Sequence, residues 1–166
     1  MPYTARFIAT DNLLIHLSTM IGTISDPAIQ ADYAGFLSVS GVTVFELAIK
    51  DIFIEFALKK NKVFGTFIDS HFEKINGRIK LDDLKKSHIK QFGEKYLKKF
   101  NKKLQEEEKR FFSTSSISII SDYGNLITCR HDYVHKGSPT LTIGEVIRSY
   151  QNGKEVIHCL NFAMKR

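Results

Sequence analysis

The chain has 166 residues, 43% hydrophobic and 25% charged, with only three prolines, which excludes disordered and collagen-like classes and suffices for one domain with a real core. Its two cysteines, Cys129 and Cys159, are too few for a disulfide scaffold and lack a Cys-x-x-Cys partner, a pattern of free buried thiols in a reducing compartment. The net charge of +6 is local, because eight lysines in residues 85–103 oppose a single acid, Glu94.

In chain order, Thr10 or Asp11 is expected to cap a first helix through about Ile21, with Leu13, Leu14, Leu17 and Met20 at helical spacing. No signal peptide is read at the start. A second helix runs from about Ala28 to about Lys60 and is apolar on nearly every side between Val39 and Leu58, as a helix surrounded by others must be. The uncharged run from Tyr33 to Phe45 is too short to span a bilayer. Val63 to Ile75 forms a shorter helix whose inner side is Val63, Phe64, Phe67, Ile68, Phe72 and Ile75, closed by the turn signal Asn76-Gly77.

Leu81 to Phe112 reads as one long helix or two. Lys95, Lys98, Lys99, Lys102 and Lys103 follow one stripe on it, while Ile89, Phe92, Tyr96, Phe100 and Leu104 line another face. The lysine stripe is either a solvated helix surface or a track for an RNA backbone. Ser113 to Ser116 ends this helix and caps the next, which runs to Lys136 and stops at Gly137. Thr142-x-x-Glu145 is a capping box for a last helix. With no segment of β-period, the expected fold is all-α, a compact bundle of about five or six helices in one domain over 1–166.

The densest chemistry lies in Ile127 to Gly137, which packs Cys129, Arg130, His131, Asp132 and His135 into seven positions. Ile120, Tyr123, Ile127 and Val134 form an apolar stripe with Arg130 inside it, His131 and His135 along its rim, and Asp132 pointing away. A guanidinium aimed at a core needs an acid, or its stripe borders a cleft or subunit interface. Glu46, embedded in Val-Phe-Glu-Leu-Ala, is the candidate acid, although it can equally pair with Lys50 one turn along its own helix. His135 lies in a last helical turn, where free carbonyls favour an imidazolium and hence proton transfer at neutral pH. Arg130 can bind a phosphate and stabilise the charge of a pentacoordinate transition state. Arginine with histidine and no metal suits RNA cleavage, in which the substrate's 2′-hydroxyl is the nucleophile. A two-histidine metal pair from His131 and His135 would lack an evident third ligand, and Cys129 reads as a small core residue.

The run Arg130-His131-Asp132-Tyr133-Val134-His135-Lys136-Gly137 resembles the signature of HEPN domains: an arginine, a polar residue, three further residues and a histidine. The acid-bearing long helix, the lysine- and aromatic-rich middle segment, the motif helix and the terminal helix resemble the branch related to the RiboL-PSP group over most of the chain. This resemblance implies an α-helical bundle that dimerises through its motif helices to build one composite cleft. It implies a metal-independent, cofactor-free endoribonuclease of the cytoplasm, in toxin–antitoxin, abortive-infection or other defence settings, with RNA, a second copy and a neutralising antitoxin as partners. Some relatives are inactive RNA or nucleotide binders, so a non-catalytic RNA- or protein-binding module is the alternative. Carried over residue by residue, Arg130 and His135 are the catalytic pair and His131 the polar residue that orients them. Glu46 and Asp132 support them, and Lys136 joins the lysine stripe in holding RNA. The tyrosine that some relatives carry two residues after the histidine is absent, since Gly137 stands there, so regulation by nucleotidylation of such a tyrosine is not implied.

Overall fold

The computed structural model describes residues 2–73 and 77–165. Among them are seven α-helices and no strand, one helix being a single turn. The fold is all-α as expected, with that turn raising the helix count.

Helix α1 (Phe7–Met20) starts earlier than its capping signals suggest, because a 3-10 turn, Tyr3–Arg6, feeds straight into it. Thr10 is buried with its hydroxyl 3.3 Å from that of Ser40, and Asp11 takes the Lys154 ammonium at 3.0 Å. Both polar side chains are thus spent on tertiary contacts instead of a cap. Arg6 ties the entering turn down by bonding both carboxylate oxygens of Asp51, at 2.7 and 3.1 Å.

Helix α2 (Pro27–Leu58) is the axis of the bundle. Asp26 caps it by accepting the Ala28 N–H at 2.8 Å, and Pro27 at the first helical position forfeits no hydrogen bond. Leu37, Phe45, Ile49 and Phe53 are fully or almost fully buried along its length. Helix α3 (Lys62–Phe72) is capped by Asn61. Of the expected inner side, Ile68 and Phe72 are buried and Phe64 packs half-buried against the core, whereas Val63 and Phe67 are 78% and 63% exposed. Gly65 presses against Leu58, where a Cβ would overlap the leucine side chain, and that approach turns Val63 and Phe67 outward. Ile75 and Asn76 lie outside the described residues.

The segment expected as one or two long helices is broken at Gly93. Helix α4 (Leu81–Asp83) continues through a π-helical turn, Leu84–His88, and a 3-10 turn, Ile89–Phe92, before α5 (Glu94–Ser115) begins. Gly93 has φ +117° and ψ 153°, a backbone state open to glycine and strained for other residues. Ile89 and Phe92 therefore precede α5 instead of sharing its face with Tyr96, Phe100 and Leu104. The hydroxyls of Ser113, Thr114 and Ser115 bond back to carbonyls of the preceding turn, which lets α5 run on past Phe112. Ser118 then caps α6 (Ile119–Lys136) by accepting the Ser121 N–H at 3.0 Å. Gly137 closes α6 with φ +72° and its N–H on the Tyr133 carbonyl, and both bonds of the Thr142–Glu145 capping box open α7 (Ile143–Met164).

Phe45 stacks between Tyr123 of α6 and Tyr150 of α7, with ring centroids 5.6 and 5.5 Å apart. Gly35 faces Tyr133 near one end of α2, and Phe56 meets Tyr96 edge-on near the other. The helical rise puts these two ends of the bundle roughly 30 Å apart.

Candidate functional site: the C-terminal turns of α6

Of the expected apolar stripe of α6, Tyr123 and Ile127 are buried and Ile120 is half-buried against the core, and Ile119 and Leu126, outside that stripe, are buried as well. The buried side then turns. Cys129 is fully buried and Asp132 is 8% exposed, while Val134, expected inside, is 51% exposed. The cause is Tyr133, whose ring occupies a notch at Gly35 so closely that a Cβ on that glycine would overlap it. Docking Tyr133 on α2 rolls the last turns of α6, drawing Cys129 and Asp132 inward and Val134 outward. Cys129 is thus the small core residue expected. Asp132, expected to point away, sits on the inner flank and takes the Lys136 ammonium at 2.7 Å. That hydrogen bond holds the Asp132 carboxyl below the ordinary carboxylate range. Lys136, grouped with the RNA-holding lysines, has its ammonium committed to Asp132.

Arg130 is half-buried, and its Nε is a buried donor with no hydrogen-bond partner among the described residues. The ion pairs of α6 join Asp132 to Lys136 and Asp122 to Arg148; neither involves Arg130. Glu46 fulfils neither role expected of it. Its Oε1 accepts the Gly77 N–H at 2.9 Å, and the Lys50 ammonium goes to the Glu73 carbonyl. Arg130 reaches the same glycine: a Cβ on Gly77 would stand 3.9 Å from its Nη1. The acid therefore braces the backbone beside the arginine instead of neutralising it.

That backbone is held at three successive residues. Besides the bond to Gly77, His88 Nε2–H donates to the Arg78 carbonyl at 2.8 Å and the Tyr123 hydroxyl donates to the Ile79 carbonyl at 2.5 Å. Burial raises the Tyr123 phenol, with the Glu46 charge adding to it. Sequence reasoning placed Tyr123 in an apolar stripe and did not foresee that its hydroxyl anchors this shelf. The Asn76-Gly77 turn was the one available signal. Beside the shelf, Ile120, Tyr123, Gly124, Ile127 and Thr128 line a groove of about 330 Å³ with Lys80–Asp82.

His131 and His135 are exposed, with ring centroids 4.5 Å apart and planes tilted by 51°. They share a helix end with Arg130 but not a face, since Arg130 and His135 stand about 140° apart around the helix axis. Together with exposed Gly124 and Thr128 the histidines make the outward strip of α6.

The lysine stripe divides into two rows. Lys95, Lys98 and Lys102 are exposed, and none has an ion pair among the described residues. Lys99 donates to the Lys165 carbonyl at 2.9 Å and Lys103 pairs with Glu107 at 2.8 Å. Both ammonium groups lie over the Phe162 ring, 5.3 and 5.2 Å from its centroid. The start of α5 sits at the Phe56 end of the bundle, whereas Tyr133 docks the last turn of α6 on Gly35 toward the other end.

Among the described residues no group of three or more His, Cys, Asp or Glu is placed to hold a metal ion, and no helix is long and apolar enough to cross a membrane. Compared with known proteins, the chain finds no match among curated proteins or solved structures. A family model described as RiboL-PSP-HEPN matches residues 5–165. With that match spanning nearly the whole sequence, the chain belongs to the RiboL-PSP-HEPN family.

Proposed function

We propose that this chain is a metal-independent endoribonuclease whose active cleft forms where two copies of α6 meet. The observation that carries this reading is Arg130: a half-buried guanidinium at the motif, without a carboxylate partner among the described residues. Such a group is available to a phosphate. In the reaction the 2′-hydroxyl gives up its proton, its oxygen bonds to the adjacent phosphorus, and the bond to the 5′-oxygen breaks as that oxygen is protonated. The products are a 2′,3′-cyclic phosphate and a 5′-hydroxyl end. Arg130 stabilises the charge on the phosphoryl oxygens, His135 moves the proton, and His131 orients His135 from one turn away.

The angular separation of Arg130 and His135 supports a two-fold dimer, because a second α6 supplies across the cleft what one helix cannot present on one face. Gly124 and Thr128 on the outward strip allow close helix approach. Lys95, Lys98 and Lys102 hold the RNA backbone, with Lys99 and Lys103 behind them. The setting is cytoplasmic, in toxin–antitoxin or anti-phage defence, with an antitoxin as the neutralising partner.

A second reading, a non-catalytic RNA-binding module, is favoured by the separation of the lysines from the motif. Incubating the protein with labelled RNA in EDTA and analysing the product ends tests between them. Cyclic-phosphate ends that disappear with Arg130→Ala or His135→Ala support the nuclease; salt-sensitive binding without products supports the module.

A further inference from the structure

We infer that Phe162 is a base-stacking residue of a single-stranded RNA site at the lysine-rich end of the bundle, far from the motif. The inference deepens the ribonuclease reading and rests on it for the identity of the ligand. Phe162 lies near the end of α7 and is 47% exposed, with the Lys99 and Lys103 ammonium groups from α5 lying over its ring, where an incoming base would displace them toward its phosphates. Exposed Lys95, Lys98 and Lys102 continue the same α5 segment. On the other flank of α7 a groove of about 250 Å³ adds Lys60 and Lys165 to the basic surface, while its Lys59 pairs with Glu55 and its Phe56 is buried. There the Lys60 ammonium lies 5.3 Å from the centroid of the Phe56 ring.

Phosphates and bases alternate along a single strand, and this surface sets one exposed aromatic ring, Phe162, among ammonium groups. Stacking on an exposed ring is open to any base, while lysines on flexible stems reach the flanking phosphates. A duplex hides its base faces within the stack and offers Phe162 little. An acidic polypeptide satisfies the lysines but has no general use for the ring. The plainer role for Phe162 is an apolar patch covered by lysine stems, which leucine would fill as well as phenylalanine.

The test measures binding of a labelled single-stranded RNA 12-mer by fluorescence anisotropy at fixed salt, with His135→Ala in every protein so that cleavage does not intervene. Adding Phe162→Leu should weaken binding about tenfold, within the roughly 5- to 150-fold that one stacked base contributes, and adding Phe162→Tyr should restore it. Binding of an RNA duplex and of polyglutamate should not change with Phe162→Leu. Unchanged single-strand affinity in Phe162→Leu overturns the inference, as does an equal loss for polyglutamate, which would mark a surface for acidic proteins. Cleavage by the parent chain is assayed separately: no cleavage with an intact Phe162 effect removes the nuclease and leaves the binding site. Cleavage without a Phe162 effect removes the site and leaves the nuclease.

Discussion

Glu46 and Arg130 converge on one peptide unit without forming an ion pair: Glu46 accepts the Gly77 N–H at 2.9 Å, while Arg130 Nη1 passes the same residue. The acid shapes the arginine's surroundings through the backbone and does not pair with it directly. Glu46→Gln keeps a carbonyl acceptor for Gly77 and should change unfolding stability by less than about 1 kcal/mol. Glu46→Ala strands the N–H and should cost about 1–3 kcal/mol. Urea unfolding of the two variants checks this, and equal losses in both would point to the acid's charge as the stabilising feature.

Tyr133 and Gly35 set the roll of the motif turns. Gly35→Ala places a methyl group in the tyrosine ring, so a loss of about 1–3 kcal/mol from overpacking is expected. In a Tyr133→Ala background the same substitution should cost far less, and thermal unfolding of the four proteins gives the coupling. Additive effects would mean that the notch does not govern the helix.

Much of the architecture is legible in the sequence because its determinants are local. The Thr142–Glu145 box and Gly137 act within one turn of chain, and both stand where those residue types predict. The orientation of the motif was not legible. Val134 and Asp132 exchange their expected sides because Tyr133 fits a glycine nearly a hundred positions earlier, a fit that helical period does not encode. The break at Gly93 was hidden by lysine and aromatic spacings that continue through it, and the partner of Glu46 proved to be a backbone N–H, a group common to nearly every residue. The lysine stripe was visible as charge, but its distance from the motif follows from how α2, α6 and α7 align.

Burial disfavours the charged form of His88: its Nε2–H donates to the Arg78 carbonyl, while Nδ1 is buried with no partner among the described residues. Burial is the main cause of its lowered pKa, opposed by the hydrogen bond to the Arg78 carbonyl and by the Asp83 charge, with the His71 and Arg78 charges adding to the lowering. Burial lowers His158 as well. Because the unfolded chain binds these protons first, stability should be full above about pH 6.5 and fall as the pH drops below it. The paired carboxylate of Asp132 enters only in more acid solution, through and below the ordinary carboxylate range. His88→Gln should flatten the pH dependence of urea midpoints between pH 7 and 5. An unchanged slope would exclude His88 as a source of acid sensitivity.

Gly124 tests the dimer with little risk to the fold, since a Cβ there meets nothing within 4 Å. Gly124→Arg puts a bulky cation on the outward strip of α6 and should give a monomer by light scattering, with RNA cleavage reduced at least tenfold. A variant that stays dimeric would move the interface elsewhere.

The central claim is that Arg130 and His135 cleave RNA without a metal. Its most direct test is the single-turnover rate of RNA cleavage in excess EDTA for the parent chain, Arg130→Ala and His135→Ala. The account predicts cleavage by the parent and losses of about 10²-fold or more in each variant. Full activity in either purified variant, or a parent silenced by EDTA, would contradict it.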